Sequence, residues 1–428
     1  MAGPGRAAEA SHQAVPPVPA APPAMALRYR LLAGGFSAAE RVLPKAWPDL
    51  SAPAIARAAD VPMSASARLG LERLAESLAR ETRLSLFGRV SVRYDLVRLA
   101  RNAALIERMH AAVPAMAAAP VARPVFILGL PRSGTTFLHG LLARDPDVLV
   151  PRVWQTISPA PRPRDFDPAR SEVVRRTGRQ LDTFAGLAPG FRDVHPIGPD
   201  SPQECSEITA QVFQSLRFDT TFRIPSYLAW LDGHGHDAAF AFHARFLQAM
   251  QHGVGARFWA LKCPDHTFSL DAILRTYPDA RFVIVHRDPV HVFASVAHLT
   301  EVLRRPFLRG IDPAEIGRQV TERWIDGADR LVAFDRRDDL PDSRKIHVHY
   351  EHLTENPLAT VAAIYGHFGE TLSEPAAAAM RAQLAAKPRG GYGRNRYRLA
   401  DFGINPERLR PRFAGYCEYF DVAPSAAG

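Results

Sequence analysis

This sequence predicts an α/β protein built on a parallel sheet flanked by helices, and three stretches carry the prediction. Val125-Phe126-Ile127-Leu128 is an apolar run with β-branched members, stopped by Gly129, the pattern of a buried parallel strand. Leu138, Leu141 and Leu142 follow at helical spacing. A second strand of the same kind, Arg281-Phe282-Val283-Ile284-Val285, leads into another helical stretch. Strands alternating with helices imply a parallel sheet covered on both faces.

The other elements follow in order. Residues 1–25 are mostly alanine and proline, a composition that cannot bury a core and is expected to be disordered; Met25 offers an alternative start. Residues 26–120 read as a helical N-terminal region. Within it Leu71, Leu74 and Leu78 form one stripe, and Leu86, Val90, Val92, Leu96 and Leu99 continue an apolar face, with Glu72, Arg73, Glu76 and Arg80 opposite. The main domain is placed at 121–428. Residues 150–200, rich in proline and arginine, predict long irregular structure with one helical patch near 171–188, a length often used for substrate binding. Ser201-Pro202-Gln203-Glu204 has the form of a capping box and predicts a helix to about Leu216. A helix over 236–253, a strand Arg257 to Leu261 ending in Lys262, and a helix to about Thr276 come next. Beyond the Arg281 strand and the helix bearing Ser295, the spacing predicts a long helix over 312–336 and a strand from Lys345 to Tyr350. Helices near 357–368, 373–386 and 405–420 close the chain, which has no internal repeat.

Composition narrows the function. Of 428 residues 47% are hydrophobic and 23% charged, as in ordinary globular proteins. The net charge of +9 suits either nucleic acid or a small ligand bearing several phosphate and sulfate charges. Scattered arginines and the lack of any nucleic-acid module favour the small ligand. Cys205, Cys263 and Cys417 lie far apart, which argues against a disulfide framework or structural zinc and fits a reducing compartment. No apolar run approaches a membrane span, and no basic segment precedes an apolar one at the N-terminus, so a cytoplasmic protein without signal peptide is expected.

Between the first strand and its helix lies Gly129-Leu130-Pro131-Arg132-Ser133-Gly134-Thr135-Thr136, a turn rich in glycine and hydroxyls. The helix start aims free amides and a positive dipole end at an anion. The loop nearly matches the P-loop pattern of nucleotide triphosphatases, but Thr135 stands where that pattern has lysine, and its one cation is Arg132. The second strand ends in His286-Arg287, with Asp288 only beyond them, so no acidic residue is placed to hold magnesium. The cradle is built for a phosphate group without the usual lysine or metal.

Pro131-Arg132-Ser133-Gly134-Thr135-Thr136, together with Arg287-Asp288-Pro289 and Ser295 downstream, resembles the sulfotransferases that use 3′-phosphoadenosine 5′-phosphosulfate (PAPS). More narrowly it is similar to the bacterial branch related to tyrosylprotein sulfotransferases, over roughly Leu69 to Tyr419. The resemblance implies a P-loop-type sheet and a PAPS-dependent enzyme acting on a small-molecule or glycan hydroxyl. Ser133, Gly134, Thr135 and Thr136 would then hold the 5′-phosphate and Arg132 the sulfate. Arg287 and Ser295, eight residues apart, have the spacing of the family's 3′-phosphate pair. Lys262, followed by Pro264 and Asp265, is similar to a donor-contacting lysine of the tyrosylprotein relatives. The basic, glycine-rich run 387–397 offers Arg389, Arg394 and Arg396 to the 3′-phosphate.

For the general base, many relatives have Trp-Glu shortly after the first helix, where this chain has Trp154-Gln155. Glutamine cannot accept a proton. His195, which titrates near neutrality, ranks first as base, and Glu204 second, its capping-box position giving a structural reason of its own. Two other classes stay open: a P-loop kinase of a small molecule, and an inactive nucleotide-binding homologue.

Overall fold

A computed structural model describes residues 25–42, 47–386 and 398–423. Five strands form one sheet: β1 (Val125–Gly129), β2 (Val148–Leu149), β3 (Phe258–Lys262), β4 (Arg281–His286) and β5 (Lys345–His349). Their order is β2-β3-β1-β4-β5, and every pairing is parallel. Val125 pairs with Ala260 on one side and Arg281 on the other, and Gly129 lies opposite Val285. The chain leaves β1 toward β2 and later crosses to β4, so the order reverses between β1 and β4. That is where open α/β sheets bind ligands, beyond the carboxyl ends of the strands.

Side chains alternate across the sheet. Phe126, Leu128, Phe282 and Ile284 join one buried cluster, and Val125, Ile127, Val283 and Val285 join the other. The first cluster takes in three N-terminal helices, α2 (Ala52–Ala59), α3 (Ala65–Glu81) and α4 (Leu86–Ala112), while α1 (Leu27–Val42) packs outside it with no buried residue. Leu71, Leu74 and Leu78 of α3 and Val92, Leu96 and Leu99 of α4 are buried there, as their spacing predicts, but Val90 is exposed. The second cluster holds Leu138, Leu141 and Leu142 of the Thr135–Leu142 helix. Among the described residues, no helix is long and apolar enough to cross a membrane.

Most expected elements are present, with three corrections. The helix predicted from Ser201 to Leu216 does not form. The amide of Gln203 donates to the Pro151 carbonyl at 2.7 Å, Pro202 bridges Arg152, and the Cys205 amide donates to Lys262 at 3.2 Å, so the segment lies extended along the sheet edge. Helix appears only over Ser206–Thr209, followed by a 3-10 turn Ala210–Val212. Ser201 accepts from the Gly198 amide at 2.9 Å and caps nothing ahead of it. The closing helix expected over 405–420 is broken into Pro406–Leu409, a 3-10 turn Arg410–Phe413 containing Pro411, and Ala414–Tyr419. Just before the irregular stretch predicted over 150–200 lies β2, too short at two residues to leave a periodic signal.

One buried cation fastens the helices around the site. Arg304, at the end of the Phe293–Arg304 helix, donates to the carbonyls of Asp219 (2.6 Å) and Phe222 (3.0 Å) and to the Gln319 side chain (2.9 Å). Its guanidinium is almost fully enclosed. Arg304→Ala would strand those acceptors together with the Asp219 carboxylate. It is expected to cost about 3 kcal/mol, read as a lower urea midpoint at unchanged m-value.

Candidate active site

The turn after β1 depends on two glycines. At Gly129 φ is +144°, and a Cβ would sit 2.5 Å from the Val285 carbonyl and 2.7 Å from Ser133 Oγ. At Gly134 φ is +99°, and a Cβ would sit 2.8 Å from the Tyr350 ring. Arg132 is itself left-handed at φ +65°, which turns the chain back over the helix start. Gly134 is the N-cap of the Thr135–Leu142 helix, whose first amides have no acceptor within the helix. Ser133 is fully buried, and its hydroxyl has no hydrogen-bond partner among the described residues. An unsatisfied hydroxyl beside free amides fits an anionic ligand such as a phosphate.

Arg287 follows β4 directly. Its guanidinium lies 3.9 Å from the centroid of the Tyr350 ring, and Nη1 donates to the Arg132 carbonyl at 2.9 Å. The fork is thus oriented by a ring on one face and by the loop backbone at one nitrogen, beside the loop. Tyr350 touches both Gly134 and Arg287; the sequence marks it only as the end of a strand. Ser295 is buried in the first turn of the helix that starts at Phe293. Asp288 accepts from the Val290 amide at 3.0 Å and lies 3.6 Å from Arg410, a cap rather than a metal ligand. Arg389, Arg394 and Arg396 lie outside the described residues.

The candidates for chemistry, Arg132, His195, Glu204 and Lys262, come together in one corner from four separate segments. Arg132 Nη1 donates to the Val194 carbonyl at 3.3 Å, which sets it beside His195. Lys262, buried at the end of β3, is ion-paired with Glu204. Burial pushes the Glu204 carboxyl up, but Lys262, His195 and Arg132 outweigh it and hold it below the usual carboxylate range. Burial lowers the His195 imidazole to about 4; Glu204 opposes this, while Lys262 and Arg132 add to it. His195 is therefore neutral and Glu204 ionised near pH 7. Asp265 joins them from the turn after β3, raised to about 7 by burial and then by the Glu204 charge. The Cys205 and Cys263 thiols are pushed well up by burial, so neither is a ready nucleophile. Among the described residues no His, Cys, Asp or Glu cluster is arranged to hold a metal ion.

Two sequence expectations change here. Glu204 is not a capping residue; its partner is Lys262. Gln155 does not line the site. Its Oε1 accepts from the Arg152 amide at 3.1 Å, its Nε2 donates to the Ala160 carbonyl at 3.0 Å, and the residue is buried. A carboxylate placed there would be an interior charge, not a base facing an acceptor.

A cavity of about 840 Å³ opens from this corner, lined by Arg132, Thr135, Thr136, His195, Glu204 and Asp265 at one end. Further along, its wall is largely apolar, with Phe87, Phe184, Leu187, Phe222, Leu303 and Phe307 from several helices. Charged residues also reach the wall, and four of them neutralise one another. Arg217 binds both Asp95 and Glu207, and Arg98 Nη2 lies 2.6 Å from Asp95. Sequence reasoning missed this group because its members come from distant segments and share no motif.

A family model described as the sulfotransferase family matches residues 124–374. Two similar solved structures are mycobacterial. One is the crystal structure of sulfotransferase STF1 from Mycobacterium tuberculosis H37Rv, 28% identical with a TM-score of 0.75, covering 86% of this chain and 99% of that one. The other, sulfotransferase STF9 from Mycobacterium avium, is 27% identical with a TM-score of 0.73, covering 87% and 96%. Curated relatives from Mycobacterium bovis and Mycobacterium tuberculosis, named omega-hydroxy-beta-dihydromenaquinone-9 sulfotransferase Stf3, are 26% identical over 259 residues, 58% of this chain. The match spans 62% of those relatives' length.

The Lys262–Glu204 pair can be tested directly. Glu204→Gln leaves the Lys262 ammonium enclosed with a neutral partner and is expected to cost about 2 kcal/mol. His195 simultaneously loses the negative charge that opposes its depressed pKa, so its titration, followed by NMR, moves further down. A variant as stable as the wild type, with His195 unmoved, would mean that the pair is not formed in solution.

Proposed function

The chain belongs to the sulfotransferase family, and from that premise we propose that it moves a sulfuryl group from PAPS to a hydroxyl at the end of an apolar acceptor. The observation that carries the proposal is the continuity of the cavity: one end lies on the anion cradle and the His195–Glu204 corner, the rest on apolar side chains. The curated relatives are named for an omega-hydroxylated dihydromenaquinone, and an apolar body ending in a hydroxyl suits this cavity.

PAPS would supply the activated sulfuryl group. In this reading the Gly134–Thr136 amides and the Ser133, Thr135 and Thr136 hydroxyls hold the 5′-phosphate, and Arg132 faces the sulfate. Arg287 and Ser295 hold the 3′-phosphate. Lys262, sharing its ammonium with Glu204, adds positive charge behind the transfer site. His195 takes the proton from the acceptor hydroxyl, and the adjacent Glu204 carboxylate stabilises the imidazolium that results. The ground for an inactive homologue lapses, because Gln155 is not in the cavity. A kinase reading has no observation in its favour at this loop, where Thr135 stands in place of the lysine.

The donor side is tested with 3′-phosphoadenosine 5′-phosphate. Without added metal it should raise the melting temperature, by an equivalent of about 2.7 kcal/mol at a hundredfold excess over its dissociation constant. Arg287→Lys should weaken that nucleotide about tenfold, because a point charge replaces an oriented fork, and should leave adenosine 5′-phosphosulfate unaffected. Stabilisation by ATP–magnesium and none by the bisphosphate would overturn the reading.

The base is tested by pH. With His195 lowered to about 4 in the free protein, it is deprotonated above that pH, and kcat/KM should hold from pH 7 down to about 5 and fall below it. An ordinary histidine would lose activity near 6.5. His195→Ala should reduce kcat by roughly 10² to 10⁴ with donor affinity intact. An unchanged rate in that variant would remove His195 from the mechanism.

A further inference from the structure

We propose that α1 and the outer face of α4 dock this protein on an anionic membrane surface, with the cavity opening beside the lipid. The proposal deepens the preceding one, since it rests on reading the cavity as the site of an apolar acceptor.

The large exposed hydrophobic residues are not scattered. Among the described residues they are Leu27, Leu31, Leu32 and Val42 on α1, Val90 and Tyr94 on α4, and Tyr419 elsewhere. All but one therefore lie on two helices that pack together. Leu27 is 62% exposed and Leu31 68%, one turn apart on the same helix. Tyr94 is 61% exposed and also lines the cavity, so the cavity meets solvent at this patch.

The geometry of α1 explains why its leucines stay outside. Its inner face is fixed: the Tyr29 ring fills the space over Gly186, and Phe36 meets Phe87 edge-on with centroids 5.3 Å apart. Glu40, the single acidic residue of the helix, pairs with Arg309. Thus α1 straddles α4 and the Glu172–Leu187 helix, which supply Phe87 and Phe184 to the cavity wall. Its outer face carries Arg28, Arg30 and Arg41 among the leucines, with no acidic residue. Leucines flanked by arginines on one exposed face match the interface of a bilayer containing anionic lipid. A second copy of the chain would bring those arginines against each other, which disfavours self-association through the patch. An acceptor with a long apolar body resides in lipid, and docking here would bring the opening to it without exposing the acceptor to water.

The experiment is vesicle flotation with the full-length protein. Wild type is expected to float with vesicles of equal parts phosphatidylcholine and phosphatidylglycerol, and less with phosphatidylcholine alone or at high salt. Leu31→Glu/Leu32→Glu should weaken the binding by about tenfold or more, and Arg28→Glu/Arg30→Glu should act in the same direction. Both variants alter exposed side chains, so their melting temperatures should match wild type, and transfer to a short water-soluble alcohol should be unchanged. Wild type that does not float, or a leucine variant that floats equally, would overturn the proposal. So would a dimer in sedimentation that the leucine variant dissolves, with no vesicle binding, since the patch would then belong to a second copy. Flotation without any sulfate transfer would refute the acceptor reading alone, leaving the docking surface standing.

Discussion

A lysine at the end of a central strand cannot lie buried without a counter-charge, and the structure around the site follows from how that demand is met. Lys262 is held by β3 at the carboxyl edge of the sheet, almost out of contact with water. Its counter-charge comes from Glu204, carried by a segment that gives up helix to reach it. Once that segment lies extended along the edge, its backbone bonds to Pro151 and Lys262 fix it there. His195, nine residues earlier, is thereby set at the same corner as Arg132. Removing water from the corner penalises the imidazolium, which drives the histidine neutral against the pull of Glu204, while the neighbouring cations keep the glutamate ionised against the same penalty.

How much of this the sequence discloses depends on how local each determinant is. The sheet was legible, because a buried parallel strand writes its burial into consecutive residues, as in Val125–Leu128 and Phe282–Val285. The anion loop was legible for the same reason: its amides, hydroxyls and glycines are contiguous. Ser201-Pro202-Gln203-Glu204 misled because the capping-box pattern is a local preference worth about a kilocalorie per mole, less than a buried charge pair made across the fold. Tyr350 and the Asp95–Arg217–Glu207 group have no local signature. They matter through neighbours brought from elsewhere in the chain. Gln155 shows the converse, a residue in the expected place in sequence whose amide faces the interior.

The cavity wall poses a separate physical problem, since it carries ionised side chains next to apolar ones. Arg217, Asp95, Glu207 and Arg98 resolve it by closing their charges on each other. Such a group offers no net charge to a ligand, so these four residues present no unpaired ion to an apolar molecule. The arrangement also joins α4 to the segments around 207 and 217, giving the wall a polar brace behind its aromatic surface.

The sheet also acts as a partition. The Thr135–Leu142 helix that presents the anion cradle packs on one face, through Leu138, Leu141 and Leu142, while Phe222 and Phe307 of the aromatic wall belong to the core on the other. Substitutions that enlarge or reshape the wall are absorbed on their own side and do not disturb the footing of the cradle helix. A scaffold divided in this way is free to diversify toward new acceptors by exchanging phenylalanines and leucines among helices. The cradle helix, footed on the opposite face, keeps its own packing through such exchanges.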